Sequence, residues 1–155
     1  MRTVTAVRAA RHTTLQVTTT AATDFLDLTE TLERLVADAG LETGLVNVQT
    51  RHTTTGLLVN EGEPRLHDDF HATLARLAPL GVAYRHDDLA RRPDVSPDEP
   101  RNGHAHCRAL VLASSVCLNV AHGRLQLGRW QRVFLVDLDG PRPRELSVVT
   151  VGDMS

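Results

Sequence analysis

Five of the eight histidines, His52, His86, His104, His106 and His122, fall where the residue pattern puts strand ends and loops. Side chains gathered at strand ends can form a site, and imidazole both moves protons near neutral pH and binds transition metals. Asn102-Gly103-His104-Ala105-His106 carries two histidines at i, i+2. In an extended segment both rings would point to one side; in a helix they would diverge, and only one would face a pocket. With His52 and His86 added, three nitrogens with an open fourth position would be available to a metal.

Other residues offer different chemistry. His52-Thr53-Thr54-Thr55-Gly56 lies between two expected strands. Its hydroxyls and free amides could hold an anion, or the segment could be a polar turn with an exposed histidine. Asn60-Glu61 ends the following strand, and Asp68-Asp69 falls in the next helix. These carboxylates could hold Mg²⁺ or act as a general base, or they could cap and solvate a helix. In Gly123–Gln131, alternation sets Leu125 and Leu127 opposite Arg124 and Gln126. Gly128 would break or bulge that strand and aim Trp130 and Gln131, unless Trp130 is simply core.

Composition narrows the choices. All 17 basic residues are arginine, so a Schiff-base lysine and a P-loop lysine are excluded. The arginine-only basicity fits a GC-rich bacterial coding bias. A length of 155 residues suggests one domain spanning 1–155, and 41% apolar with 23% charged residues is ordinary for a soluble protein. A net charge of -2 and few aromatics point away from nucleic acid. No stretch is apolar enough to span a membrane, and charges within the N-terminal apolar run argue against a signal peptide. Cys107 and Cys117 lack a CxxC spacing and read as reduced thiols of a cytoplasmic protein.

The elements that must position these residues can be read along the chain. Val4 to Arg8 and Thr14 to Thr20, separated by Ala9–Arg11, predict an opening hairpin. Thr23 is expected to cap a helix bearing Phe25, Leu28, Leu32, Leu35 and Val36 on one face, ended by Gly40. Leu45–Thr50 and Gly56–Asn60 read as strands. A helix from about Pro64 carries Leu66, Phe70, Leu74 and Leu77. Pro79 to Gly103 reads as a long loop, functional or mobile. A short helix over Ala105 to about Ala113 precedes strands SVCLNVA, RLQL and RVFLVDL, and ELSVVTVG closes the chain. The sum is an α+β fold, mainly antiparallel sheet packed with two or three helices.

The ordered set VQTRHTTTGLLVNE, YRHDD, NGHAHCRALVLASS and GRLQLGRWQRVFLVDLDGPRPRELSVVTVG resembles the YjbQ family, also filed as UPF0047, from about Thr14 to Gly152. The resemblance implies a compact α+β domain, generally a homotrimer, with a histidine-lined pocket and a secondary thiamine-phosphate synthase activity. It assigns His52, His86 and His106 to the pocket as metal ligands. It matches Asn60, Glu61 and Asp69 to a polar NE…D set, and Trp130 and Gln131 to a WQ pair. On that footing Asp69, Glu61 and His52 are the candidate catalytic groups. Arg51, Thr53, Thr54, Asn60, Arg101, Trp130 and Gln131 are candidate substrate contacts.

One departure bears on the metal. Many members have Asp-Ala-His where this chain has His104-Ala105-His106. A nitrogen in place of a carboxylate would tilt an expected divalent ion from Mg²⁺ towards Zn²⁺. As a synthase the protein would join a pyrimidine-methyl diphosphate to a thiazole phosphate and expel diphosphate, with Arg51, Arg101, Arg108 or Arg124 gripping the leaving charge. A metal-dependent hydrolase, or a trimer that binds a metal or small anionic metabolite without turnover, are the competing expectations.

Overall fold

The computed structural model describes residues 7–93, 95–96 and 98–154. Strand β1 (Val7–Thr18) and the closing strand β8 (Pro143–Met154) pair antiparallel along their whole lengths, from Val7 opposite Met154 to Thr18 opposite Pro143. The expected opening hairpin is therefore one long strand; Val4 to Ala6 lie outside the described residues. Ala9–Arg11 has no Gly, Pro or Asn to reverse the chain, and β8 supplies a partner for every residue.

The expected helix also starts later than its apolar stripe suggests. Asp24–Asp27 forms a short strand, β2, paired with β7 (Gln131–Asp137), and places Phe25 opposite Val136. Helix α1 (Thr29–Ala39) follows, and Thr23 does not cap it. Asp27 accepts the Thr29 N–H at 2.8 Å at its entrance. Leu28, Leu32 and Val36 are buried on its inner face, and Gly40 closes it at φ 62 with N–H bonds to the Ala37 and Val36 carbonyls.

Strands β3 (Leu41–Thr50) and β4 (Thr55–Glu61) and helix α2 (Pro64–Leu77) fall as expected, with β3 beginning four residues early. Glu63 caps α2 by accepting the Arg65 and Leu66 N–H groups. Between α2 and α3 the chain makes only two three-residue 3₁₀ turns among the described residues. Helix α3 (Gly103–Ala109) is shorter than expected. Its continuation is pulled into pairing instead: Ala113 accepts the Leu57 N–H at 2.7 Å, and Ser114 accepts the Thr50 N–H at 2.9 Å. Strand β5 (Ser115–Ala121) matches its expectation. The RLQL strand is reduced to β6 (Arg124–Leu125), joined to β5 by a turn with positive φ at both His122 and Gly123.

Two antiparallel sheets result, ordered β1-β8-β3-β5-β6 and β2-β7-β4. The fold is α+β with three helices. One face of the five-stranded sheet, carrying Val46, Val48, Leu146 and Val148, packs against α1 and against Leu57, Val133 and Leu135 of the three-stranded sheet. The far side of that smaller sheet, with Phe134 and Val136, packs on Leu74 of α2 and Ala105 of α3. The layers run five-stranded sheet, then α1 beside the three-stranded sheet, then α2 and α3. At one end of them β3, β4, β7, β8 and α3 all start or stop, and the candidate site forms there.

Candidate functional site

His52 sits in the turn from β3 to β4, held by its neighbours' hydroxyls. Thr50 and Thr55 share a short hydrogen bond, and Thr50 Oγ1 accepts the His52 N–H at 3.3 Å. The His52 ring reaches β8, where its Nε2 accepts the Glu145 backbone N–H at 2.8 Å. A nitrogen that accepts carries no proton, so the neutral ring keeps its proton on Nδ1. Burial, then the Arg144 charge, lower its pKa below the ordinary value and favour that neutral form.

Around it opens a cavity of about 440 Å³ lined on one side by Arg51, His52, Thr53 and Thr54 and on the other by His86 and His106. The His86 and His106 rings lie 4.5 Å apart between centroids. His86 Nε2 is buried with no hydrogen-bond partner. Burial and the neighbouring His86 lower the pKa of His106. Because residues 103–109 are helical, His104 and His106 diverge. His106 lines this cavity, whereas His104 lines a separate one of about 600 Å³ with Tyr84 and Arg101. Gly103 fits that corner because a Cβ there would stand 2.5 Å from Tyr84 Cβ.

The remaining wall comes from the β7–β8 turn and the long loop: Arg92, Glu99, Asn102, Asp139, Arg142 and Arg144. Every guanidinium there is braced by a carboxylate. Arg51 pairs with Glu145, Arg92 with Glu99 at 3.0 Å, and Arg142 with Asp139 at 3.2 Å. Arg144 is the most deeply set. Its Nε and Nη2 bind the two Asp137 oxygens at 2.8 and 2.6 Å, and Nη2 also reaches Thr54 Oγ1 at 3.3 Å. Burial alone would raise the Asp137 pKa, but hydrogen bonds from Arg144 and Thr19 hold it below the ordinary value. Asn102 Nδ2 donates to Asp139 at 2.8 Å, tying the start of α3 to the same turn. Arg92, Arg142, Arg144 and their acids are the wall residues the sequence reading did not single out.

The other candidates lie elsewhere. Asn60 and Glu61 close β4 at its opposite end, about 20 Å from Thr55 at the usual strand rise. Glu61 and Trp130 share a cavity of about 290 Å³ with Arg129 and Arg132. Trp130 is 61% exposed, with the Arg129 guanidinium 4.6 Å above its ring. Gln131 accepts the Gly128 N–H at 2.8 Å, and Asp69 is exposed on α2. Arg101 lines the His104 cavity. Arg108 is buried with its Nε bonded to Ala78 O, a packing role; Arg124 is exposed on β6.

Among the described residues of one chain, no three His, Cys, Asp or Glu side chains are grouped as a metal site. The His52 Nε2 lone pair is already engaged by an amide. Among the described residues of the single chain, the donor set for an ion is not assembled.

Antiparallel sheets over helices, with strand ends gathered round a histidine and arginine cavity, define the class. The chain belongs to the YjbQ family: the family model described as UPF0047 protein YjbQ-like matches residues 13–153. A UPF0047 protein of the archaeon Archaeoglobus fulgidus is 39% identical over 125 residues, covering 81% of this chain and 89% of the relative. The UPF0047 protein YugU of Bacillus subtilis is 29% identical over 140 residues, 90% of this chain and 98% of the relative. Relatives thus occur in archaea as well as bacteria. Among solved structures, a YbjQ-like protein of unknown function from Sulfolobus solfataricus superposes with TM-score 0.83 at 27% identity, covering 95% of this chain and all of that one. A hypothetical protein from Aeropyrum pernix K1 superposes with TM-score 0.80 at 34% identity, covering 92% and 99%.

Among the described residues no helix is long and apolar enough to cross a membrane.

Proposed function

We propose that the cavity between His52, His106 and Arg144 binds a small phosphorylated metabolite in a cytoplasmic protein. The observation that carries this is the convergence of four guanidiniums and three imidazoles on one cavity, where Glu99 and Asp139 are the lining carboxylates among the described residues. Carboxylate braces hold the guanidiniums in place, so little side-chain freedom is lost when an anion arrives. Thr53, Thr54 and the His52 Nδ1–H add neutral donors. The orphaned His86 Nε2 supports the same reading, because a buried polar atom without a partner in the free protein is commonly satisfied by ligand or water.

The specific activity drawn from the family resemblance is thiamine-phosphate synthesis. In it the bond from the pyrimidine methylene to oxygen breaks, the thiazole nitrogen takes that carbon, and diphosphate leaves. This chain would contribute positive charge at the leaving oxygens from Arg92, Arg142 and Arg144. The test has two arms. Calorimetric titration with sulfate and with diphosphate is expected to give saturable binding that Arg142→Gln weakens tenfold or more. Incubation with the pyrimidine diphosphate and thiazole phosphate is expected to release diphosphate. Binding without release leaves a metabolite-binding protein; absence of anion binding overturns the proposal.

A further inference from the structure

The long loop between α2 and α3 encloses a second cavity that the anion site does not use. Its volume is about 600 Å³, within the usual range for a small-molecule site. Local hydrogen bonds shape it. Gly81 turns the chain at φ 80, and Tyr84 Oη donates to the Pro79 carbonyl at 2.8 Å, closing the loop on itself. The two 3₁₀ turns follow, and Asp87 accepts the Gly103 N–H at 2.9 Å, fixing the loop to α3. The concavity therefore stands formed in the free protein, and a ligand entering it has little chain to order.

Its walls divide by chemistry. Leu80, Val82, Ala83, Leu89 and Ala90 give an apolar side. Leu80 is 68% and Val82 51% exposed, so large apolar side chains are left in water on a concave face. The polar side holds Asp87, Asp88, Arg101 and His104. Both carboxylates are engaged, Asp87 by the Gly103 amide and Asp88 by Arg91 at 3.3 Å. Arg101 makes no hydrogen bond or ion pair with another described residue. His104 presents an N–H donor whether its ring is neutral or charged.

We infer that this cavity binds a small aliphatic carboxylate, its head on Arg101 and His104 and its chain along Leu80, Val82 and Leu89. A planar guanidinium matches a carboxylate with two parallel hydrogen bonds. One guanidinium suits one charge. A phosphate dianion would bring its second charge towards Asp87 and Asp88, and like charges in one pocket repel. An ammonium group finds both carboxylates already engaged. Covering Leu80 and Val82 removes apolar surface from water, which favours an acid with a chain over a short one. No residue lines both this cavity and that of His52 and Arg144, so the inference does not rest on anion binding there.

Hexanoate is the probe. The whole chain, isotope-labelled, is titrated with it and followed through methyl and backbone NMR signals. Acetate, which lacks the chain, and hexanamide, which lacks the charge, are titrated beside it. Saturable hexanoate binding is expected, with the largest shifts at Leu80, Val82 and Leu89. Acetate and hexanamide are each expected to bind at least tenfold more weakly, a comparison made on the unaltered protein. Arg101→Gln is expected to weaken hexanoate at least tenfold, and so is His104→Asp, which sets a further carboxylate in the polar wall. Four results overturn the inference: no saturable hexanoate binding, shifts centred on His52 and His106 instead, acetate or hexanamide bound as tightly as hexanoate, or unaltered hexanoate affinity in Arg101→Gln.

Discussion

His52 Nε2 accepts the backbone N–H of Glu145 at 2.8 Å, a bond between the β3–β4 turn and the start of β8 that fixes which ring nitrogen carries the proton. The tautomer is readable by nitrogen NMR. At pH 7.5 the His52 Nδ1 is expected to give the protonated, pyrrole-type shift and Nε2 the bare, pyridine-type shift. The Nδ1–H then faces an incoming anion as a donor. His52→Phe removes that donor and strands the Glu145 amide. Sulfate affinity is expected to drop about tenfold, the worth of roughly 1.5 kcal/mol for one hydrogen bond to a charged group. Nε2 found protonated, or unchanged sulfate affinity, would sink this assignment.

The Arg144–Asp137 pair is the energetic anchor of the same wall. Asp137 is fully buried and Arg144 is 5% exposed, so neither charge has water to fall back on. Replacing one partner leaves the other buried and unpaired, which costs about 3–5 kcal/mol. Arg144→Met is expected to lower the unfolding free energy obtained from urea titration by that much. The double change to Met and Leu is expected to recover a large part of the loss while leaving sulfate binding impaired. Equal destabilisation in single and double variants would show that the charge pairing is not what the single variant lost.

What the chain declared in advance, and what it did not, follows from range. Helix α1 past Leu28, helix α2 and strands β3, β4, β5 and β7 have apolar periodicity that local sequence carries. Strand β2 is only Asp24–Asp27, and nothing local separates it from a helix start; its identity comes from β7, more than a hundred residues later. Helix α3 stops at Ala109 because Ala113 and Ser114 find partners on β4 and β3, which no window around them shows. In the site, His52, His86 and His106 could be suspected from residue type. The arginine wall had a fainter signal. Arg144, Leu146, Val148 and Thr150 alternate onto one face of β8, and all are buried. A charge on the apolar face of a strand implies a buried partner or a site, and Asp137 was available across the turn.

Stability is expected to fall in two stages on acidification. The folded-state pKa values of His52, His104 and His106 lie below 6.5, chiefly through burial. The unfolded chain therefore takes up protons first as pH drops through 6.5, and stability that is full above that value declines towards pH 5. Asp137, held below 3.8, contributes stability that persists above 3.8 and disappears as pH falls through its folded value. Sulfate, whose charge is constant over this range, has the opposite trend at the site. It favours protonated imidazole, so its affinity should rise from pH 8 to 6. Urea midpoints that stay flat between pH 7.5 and 5 would remove the histidine stage.

Gly103→Ala tests how tightly the long loop is clamped to α3. The added methyl would lie 2.5 Å from Tyr84 Cβ and 2.9 Å from its Cγ, while the Gly103 N–H is held by Asp87 at 2.9 Å. Neither side can yield without shifting backbone, since Tyr84 Cβ is not the end of a flexible chain. Overpacking of this kind costs about 1–3 kcal/mol. His86 lies two residues from Tyr84, so the displaced loop should also carry its ring away from His106. The expected outcome is a lower thermal midpoint together with weaker sulfate binding. Tyr84→Gly beside Gly103→Ala opens the space and should restore binding more than stability. A Gly103→Ala protein that keeps both its midpoint and its sulfate affinity would show that the loop is not held against α3 at this point.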